Sequence, residues 1–182
     1  SIVICTNRFS INQIINNYER QSYNNKELII IINTKFIDID IFKNECKDMD
    51  DVKIFQIDDK KTLGECYNFA IKNMNGDYFC KMDDDDFYPP NSIKNRVTKL
   101  LKSKKNCVGC TTVGYFHINK MISTMFVPTY SNSLANRVSE ASLCFNRKFW
   151  EERNFDNNNM IHSNTYSFYI FYLDVILYMY NN

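Results

Sequence analysis

The stretch Leu28-Ile29-Ile30-Ile31-Ile32 is an unbroken apolar run in which every residue after Leu28 is β-branched. Such runs are typical of a strand that is covered on both faces within a parallel sheet. A shorter apolar run, Ile2-Val3-Ile4-Cys5, precedes it, and apolar residues at helical spacing occupy the segment from Ile11 to Tyr18. Ser10 stands where it can cap that helix. The pattern therefore predicts a β-α-β unit with two neighbouring parallel strands.

The same alternation continues downstream. A short helix is predicted near Ile41 to Cys46, a third strand over Val52 to Ile57 and a helix over Leu63 to Met74. Asn75-Gly76-Asp77 is a turn signal, and a fourth strand follows over Tyr78 to Met82. The first 86 residues thus read β-α-β-α-β-α-β, which predicts an α/β, Rossmann-like, mostly parallel sheet with helices on both faces.

The second half of the chain mixes strands, helices and loops. The predicted elements are a helix beginning near Asn91, strands over Cys107 to Phe116, Met121 to Val127 and Ala141 to Phe145, a short helix over Arg147 to Arg153, and an aromatic helix over Tyr166 to Tyr180. We expect this region to form a smaller mixed part of one domain that spans residues 1–182.

Composition excludes several classes of function. The formal net charge is +1, from 22 basic and 21 acidic side chains, so the charge balance favours neither nucleic acid nor an anionic membrane as a partner. The seven cysteines lie mostly in apolar patterns, which predicts buried thiols in a reducing, cytoplasmic compartment.

Because Ser1 falls directly in a strand pattern, we expect the chain to be a domain of a longer protein.

Four consecutive carboxylates, Asp83 to Asp86, end the fourth predicted strand. Like charges at this separation repel, and a bound cation is a simple way to relieve the repulsion. Side chains alternate along an extended backbone, so Asp83 and Asp85 share one side while Asp84 and Asp86 share the other. A D-x-D pair of this kind can hold a hard divalent ion. On spacing alone, a solvated acidic loop or a weak calcium site is an equal alternative.

Polar residues follow the other predicted strands as well. They are Thr6-Asn7-Arg8, Asn33-Thr34 and Asp58-Asp59. Ligands of doubly wound sheets bind outside the carboxyl ends of the strands, where these segments would meet the aspartates. This convergence favours an ion and ligand site over a solvated loop.

Several segments, taken in order, resemble family 2 glycosyltransferases with the GT-A fold. They are Thr6-Asn7-Arg8, the segment from Gln21 to Glu27, the helix from Leu63 to Ile71, Gly76-Asp77-Tyr78 followed by Met82 to Asp86 and Pro89-Pro90-Asn91, and Glu140 to Phe145 followed by Phe149-Trp150. The resemblance runs from Ser1 to about Asp156. It implies transfer of a sugar from a nucleotide sugar to a hydroxyl of a glycan, protein or lipid, with a UDP-sugar as the preferred candidate donor. The transfer would invert the anomeric centre and depend on Mn²⁺ or Mg²⁺. Residues 1–105 would bind the nucleotide sugar, and residues 106–182 would form the acceptor side.

The resemblance also implies roles for individual residues. The nucleotide-sugar-binding set is Thr6, Asn7, Arg8, Asn33, Asn68, Asp83, Asp84 and Asp86, and the metal ligands are Asp83 and Asp85. Within this set Asp84, on the alternate face of the strand, is expected to point away from the metal. The family often reads the base with an aspartate after the second strand. Here Asn33 or Asp58-Asp59 would take that role.

The catalytic base is the main departure from the family pattern. Inverting transfer needs a group that accepts the proton of the acceptor hydroxyl. The family's Glu-Asp pair falls at Ser163-Asn164, and neither residue can act as a base, which leaves Asp156 and Glu140 as candidates. His162 is either a third metal ligand or a loop histidine.

Three alternatives to an active glycosyltransferase stay open at this point. They are a catalytically degenerate nucleotide-binding homologue, a calcium-binding interaction domain and a nucleotidyltransferase of comparable architecture. The predicted aromatic helix over Tyr166 to Tyr180 would pack on its own core, or else provide a homodimer or peripheral membrane contact.

Overall fold

A computed structural model describes residues 1–110, 113–117, 120–126, 139–155, 157 and 176–180. The α-helices are α1 (Ile11–Arg20), α2 (Ile39–Glu45), α3 (Leu63–Asn73), α4 (Ser92–Ser103) and α5 (Arg147–Glu152). The strands are β1 (Ile2–Thr6), β2 (Leu28–Ile32), β3 (Val52–Gln56), β4 (Tyr78–Lys81), β5 (Cys107–Val108), β6 (Val113–His117), β7 (Ile122–Phe126), β8 (Cys144–Asn146) and β9 (Ile176–Tyr180). A 3₁₀ turn, Glu140–Ser142, precedes β8.

The main sheet has the strand order β3-β2-β1-β4-β8-β5. The first four of these strands are parallel, as the sequence predicts, and β8 runs antiparallel to both β4 and β5. All five residues of β2 are buried. Leu28, Ile30 and Ile32 pack with α1, α2 and α4 on one face, whereas Ile29 and Ile31 pack with α3 on the other. The run is apolar throughout because both of its faces are covered, and each such side chain contributes about 1.5–3 kcal/mol.

A row of amide side chains on α1 and at its C-cap fixes the loop that follows β4. Gln13, Asn17 and Gln21 lie one helical turn apart and face this loop. The Asn17 amide is fully buried. It donates to the Asp86 carbonyl at 2.7 Å and accepts from the Tyr88 N–H at 3.1 Å. Since an unsatisfied buried polar group costs about 1–3 kcal/mol, these bonds hold the loop backbone in one position.

A second, smaller sheet has the order β7-β6-β9. β6 pairs with β7 antiparallel and with β9 in parallel. The predicted strand over Cys107 to Phe116 is divided between the two sheets, because β5 joins the main sheet and β6 the smaller one.

Three other element predictions need correction. Residues 176–180 of the predicted helix Tyr166 to Tyr180 form β9, where aromatic and β-branched residues suit a paired strand. Residues 166–175 lie outside the described part of the chain. The predicted strand over Ala141 to Phe145 opens as the 3₁₀ turn, and only its end is β8. Ser10 stands at the start of α1 without capping it, because its hydroxyl donates to Asp84 at 3.0 Å instead.

The cysteines are free thiols, as predicted, and all except the half-buried Cys5 are buried. Within the described residues, no helix is both long enough and apolar enough to span a bilayer.

Glu27 fastens the entry of β2 to the turn before β4. Its Oε1 accepts from the Asn75 and Gly76 N–H groups at 2.6 and 2.9 Å, and its Oε2 lies 3.0 Å from the Lys53 ammonium. A side chain at Gly76 would meet the Ser1 hydroxyl at 2.8 Å and the Ser1 backbone nitrogen at 2.9 Å, so this approach favours glycine. Burial alone would raise the pKa of Glu27, but hydrogen bonds from Ser1, Gly76 and Lys53 outweigh it and lower the pKa to about 2.

We predict that Glu27→Gln lowers the free energy of unfolding at pH 7 by about 1–3 kcal/mol, because charge-assisted hydrogen bonds are lost. The pKa of Glu27 is lower in the folded protein than the value of about 4.3 in the unfolded chain. Its contribution is therefore complete above about pH 5 and is lost as the pH falls toward 2.

Urea unfolding of wild type and variant at pH 7 and pH 3 measures this difference. The gap between the two should narrow at pH 3, while the control Glu45→Gln, at an exposed position on α2, should match wild type at both values. A gap of equal size at both pH values would contradict the role given to the carboxylate.

Candidate functional site

A cleft of about 370 Å³ opens at the carboxyl ends of β1, β2 and β4. Its lining includes most of the predicted site residues. They are Thr6, Asn7, Arg8, Asn33, Asp83, Asp84 and Asp85, joined by Cys5, Leu63 and Tyr67. The predicted convergence of strand ends is confirmed for these three strands, as expected of a doubly wound sheet. The loop after β3 contributes no residue to this lining.

Asp84 is the anchor between the aspartate run and the turn after β1. Its buried Oδ2 accepts from the Thr6 hydroxyl at 2.5 Å and the Ser10 hydroxyl at 3.0 Å, and it lies 3.3 Å from Nε of Arg8. A buried carboxylate needs such donors to offset the loss of water. The Asp84 side chain therefore lies against the turn after β1, at the wall of the cleft.

Asp85 has a different environment. Its side chain is 50% exposed, and its Oδ2 lies 3.0 Å from Nη1 of Arg8, whose side chain is 57% exposed. Arg8 thus contacts both Asp84 and Asp85, one carboxylate buried and the other open to solvent.

Lys81 is a site residue that the sequence analysis missed. Its ammonium is buried between Asp83 Oδ1 at 2.9 Å and Glu140 Oε1 at 2.7 Å, and it lies 5.5 Å from the centre of the Tyr67 ring. Burial lowers the pKa of Lys81, but Asp83 and Glu140 outweigh burial and raise it above the ordinary value. A lysine at the end of an apolar strand, two residues before an acidic run, is the signal that could have identified it.

Tyr88 was also missed. It is fully buried, and its hydroxyl accepts from the Asp83 N–H at 2.7 Å and donates to the Ala141 carbonyl at 3.1 Å. Arg96, buried on α4, donates to the Lys81 carbonyl at 2.8 Å. These contacts hold the backbone around Asp83 between α4 and the 3₁₀ turn.

Asp86 is buried, and its Oδ2 has no hydrogen-bond partner among the described residues. Burial raises the pKa of Asp86 to about 8, with Asp83 and Asp85 adding to the effect. Near neutral pH the Asp86 carboxyl group is therefore mostly protonated. The potential donor atoms of the cluster are all carboxyl oxygens.

Such a donor set suits Mg²⁺ or Mn²⁺. Within the described ranges, no three His, Cys, Asp or Glu side chains are arranged to hold an ion together. Mg²⁺, however, is commonly held by one or two carboxylates, with substrate phosphate and water completing its shell. Asp83 and Asp85 at the cleft fit that requirement.

Asn33 and Asn68 occupy different places. Asn33 lines the cleft, where its Nδ2 donates to the Lys61 carbonyl at 3.0 Å and its buried Oδ1 has no partner among the described residues. Asn68 lies apart from the cleft. Its Oδ1 accepts from the Trp150 indole at 2.7 Å, and its Nδ2 donates to the Phe155 carbonyl at 2.9 Å. Asn68 thereby joins α3 to the segment after α5.

A second cavity of about 780 Å³ includes Asn68 together with Asp58, Lys61 and Trp150 in its lining. Of the candidate bases, Glu140 is described and partly exposed. Asp156, His162 and Ser163-Asn164 lie outside the described residues.

Comparison of the fold with solved structures finds clear likeness at low sequence identity. Staphylococcus aureus TarS 1-349 in complex with UDP-GlcNAc has a TM-score of 0.73 and 10% identity, and the match covers 100% of this chain and 58% of that chain. The mannosyltransferase PcManGT from Pyrobaculum calidifontis, in complex with GDP-Man and Mn²⁺, has a TM-score of 0.70 and 12% identity, with coverage of 97% and 55%. The chain thus spans less than two thirds of either structure.

Sequence comparison is more specific about the family. A search of curated proteins finds no match. The family described as "Glycosyl transferase family 2" matches residues 1–172, nearly the whole chain, and the fold agrees with that of the GT-A enzymes above. The chain therefore belongs to glycosyl transferase family 2 and has the GT-A fold.

Proposed function

We propose that this protein transfers a sugar from a nucleotide sugar to an acceptor hydroxyl, with inversion at the anomeric carbon and with a UDP-sugar as the preferred candidate donor. The transfer depends on Mn²⁺ or Mg²⁺. The observation that carries the proposal is the cleft in which the turn after β1 meets Asp83, Asp84 and Asp85 in a family 2 chain. Structural neighbours bound to UDP-GlcNAc, to UDP, and to GDP-Man with Mn²⁺ support it.

Asp83 and Asp85 are the residues that would hold the metal ion. When bound, such an ion supplies Lewis-acid stabilisation of the charge that develops on the diphosphate leaving group. Asp86 lies buried beside them with an unpaired oxygen, and its raised pKa leaves its carboxyl group mostly protonated near pH 7. Asp84 instead shapes the cleft, because its carboxylate holds the turn Thr6-Asn7-Arg8 against the aspartate run.

Asn33 is the residue best placed to read the base. Its buried Oδ1 accepts no hydrogen bond from the described residues, so a ligand N–H in the cleft would satisfy it. Uracil offers one such donor. Asp58, the other candidate, lines the second cavity, and Asp59 lies 3.6 Å from Lys35. These contacts support Asn33 as the residue that reads the base.

Glu140 is the carboxylate that we assign as the catalytic base. It lies on the turn before β8, is partly exposed, and is held by the same ammonium that holds Asp83. Glu140, on the acceptor side, is therefore a neighbour of Asp83, on the donor side. A base must first be within reach of the proton that it removes, and the shared contact of Glu140 and Asp83 with Lys81 supports Glu140 in that role.

We predict that Asp85→Ala weakens Mn²⁺ binding by about tenfold or more, because the variant loses a charged ligand. UDP binding in the presence of Mn²⁺ should weaken with it. Isothermal titration calorimetry with Mn²⁺, and then with UDP, measures both. Asp40→Ala, which removes an exposed carboxylate paired with Lys43 on α2, is the matched control and should bind like wild type. Binding that survives Asp85→Ala unchanged, or a wild-type protein that binds neither ligand, would refute the proposed function.

We predict that Glu140→Gln lowers kcat about 10²- to 10⁴-fold, the usual contribution of a general base. The Gln oxygen can still accept from Lys81, so KM for the donor and the affinity for Mn²⁺ should stay near wild type. UDP release from a UDP-sugar, with water or an added sugar as acceptor, gives the rates.

Asp156→Asn serves as the comparison for the base. Loss of transfer in Asp156→Asn but not in Glu140→Gln would move the base to Asp156. A wild-type protein that binds UDP and Mn²⁺ but releases no UDP from a donor would favour the nucleotide-binding homologue over an enzyme.

A further inference from the structure

The guanidinium of Arg8 bridges two carboxylates, one buried and one exposed to solvent. Its Nε lies 3.3 Å from Asp84 Oδ2, and its Nη1 lies 3.0 Å from Asp85 Oδ2. The Asp84 side chain is 6% exposed and is held by two hydroxyl groups, whereas the Asp85 side chain is 50% exposed. Asp84 therefore fixes one end of the bridge, and Asp85 is the end that can be released.

The contact between Arg8 and Asp85 uses an oxygen of the carboxylate that we assign to the metal. A divalent cation at Asp85 and the Arg8 guanidinium are both positive, so they compete for the same group. Two exposed, paired side chains of this kind stabilise each other only weakly. The cation can therefore displace the arginine at small cost.

A displaced Arg8 would not leave the cleft. Its Nε contact with the buried Asp84 keeps the side chain at the edge of the site, while the N–H groups freed from Asp85 can donate elsewhere. The neighbouring residues Thr6 and Asn7 line the cleft that would take the nucleotide. A diphosphate there offers oxygens that match the planar fork of arginine.

We propose that Arg8 is an exchangeable counter-ion, which holds Asp85 in the metal-free protein and transfers its contact to the donor diphosphate once a divalent cation occupies Asp85. The inference rests on the proposed function. It makes binding of the metal and of the nucleotide cooperative through a protein side chain, in addition to any direct contact between the two ligands. By linkage, each ligand raises the affinity for the other by the same factor.

The variant Arg8→Gln tests the exchange, because the proposal predicts changes of opposite sign in the affinities for Mn²⁺ and for UDP. Affinity for Mn²⁺ without nucleotide should rise about twofold to fivefold, since a weak exposed competitor is removed. Affinity for UDP at saturating Mn²⁺ should fall about tenfold or more, since a charge-assisted contact to phosphate is lost. Calorimetry with MnCl₂ alone, and with UDP in saturating MnCl₂, gives both constants on the whole chain.

Lys43→Gln is the matched control, because Lys43 is an equally exposed cation paired with Asp40 on α2. It should leave both affinities at the wild-type values. Thermal unfolding of each variant checks that the fold is kept.

The possible outcomes separate the two proposals. If Arg8→Gln weakens Mn²⁺ binding or leaves it unchanged while wild type binds both ligands, the exchange is wrong and the proposed function stands. If wild type binds neither Mn²⁺ nor UDP, both are overturned.

Discussion

The constraint on which the site depends is the repulsion among four adjacent carboxylates at the end of β4. Each of them has a different environment. Asp83 is paired with the buried Lys81, Asp84 accepts from two hydroxyls beside Arg8, Asp85 is paired with Arg8 at the surface, and Asp86 keeps an unpaired oxygen. Because like charges so close destabilise one another, the run can be kept only where the fold supplies these partners. The partners in turn determine which carboxylate stays available to a ligand, and that is Asp85.

The backbone that carries the run is fixed independently of its charges. Asn17 on α1 bonds the peptide groups of Asp86 and Tyr88, and Tyr88 bonds the peptide group of Asp83 and the carbonyl of Ala141. Arg96 on α4 bonds the carbonyl of Lys81. A site held by buried hydrogen bonds of this kind does not need a bound ion to define its shape. The cleft is therefore formed before the ligand arrives, which lowers the cost of binding.

The sequence predicted β1, β2 and β4 because most of their residues are buried, which leaves an apolar pattern that can be read without partners. It also predicted β3, although the residues of this edge strand are only partly buried. It also predicted that Thr6 to Arg8 and the aspartates meet, since parallel strands end at one edge. It could not assign the partner of Lys81 or the role of Asn17, because the partner of a single polar residue is known only once the fold brings the two together. The helix predicted over Tyr166 to Tyr180 was wrong at residues 176–180 for a related reason. Residues 176–180 suit either a helix or a strand, and pairing with β6 decides between them.

The position of Glu140 follows from strand direction. β8 runs antiparallel to β4, with Cys80 opposite Cys144, so β8 begins at the edge where β4 ends. The turn that leads into β8 must then lie beside the aspartate run, and it places Glu140 on the other side of the Lys81 ammonium from Asp83. A parallel strand at this place would have brought its amino end, and the turn before it, to the opposite edge of the sheet. The single reversal in the sheet thus brings a carboxylate from the second half of the chain to the donor cleft, although the segment around Ser163-Asn164 carries no acid.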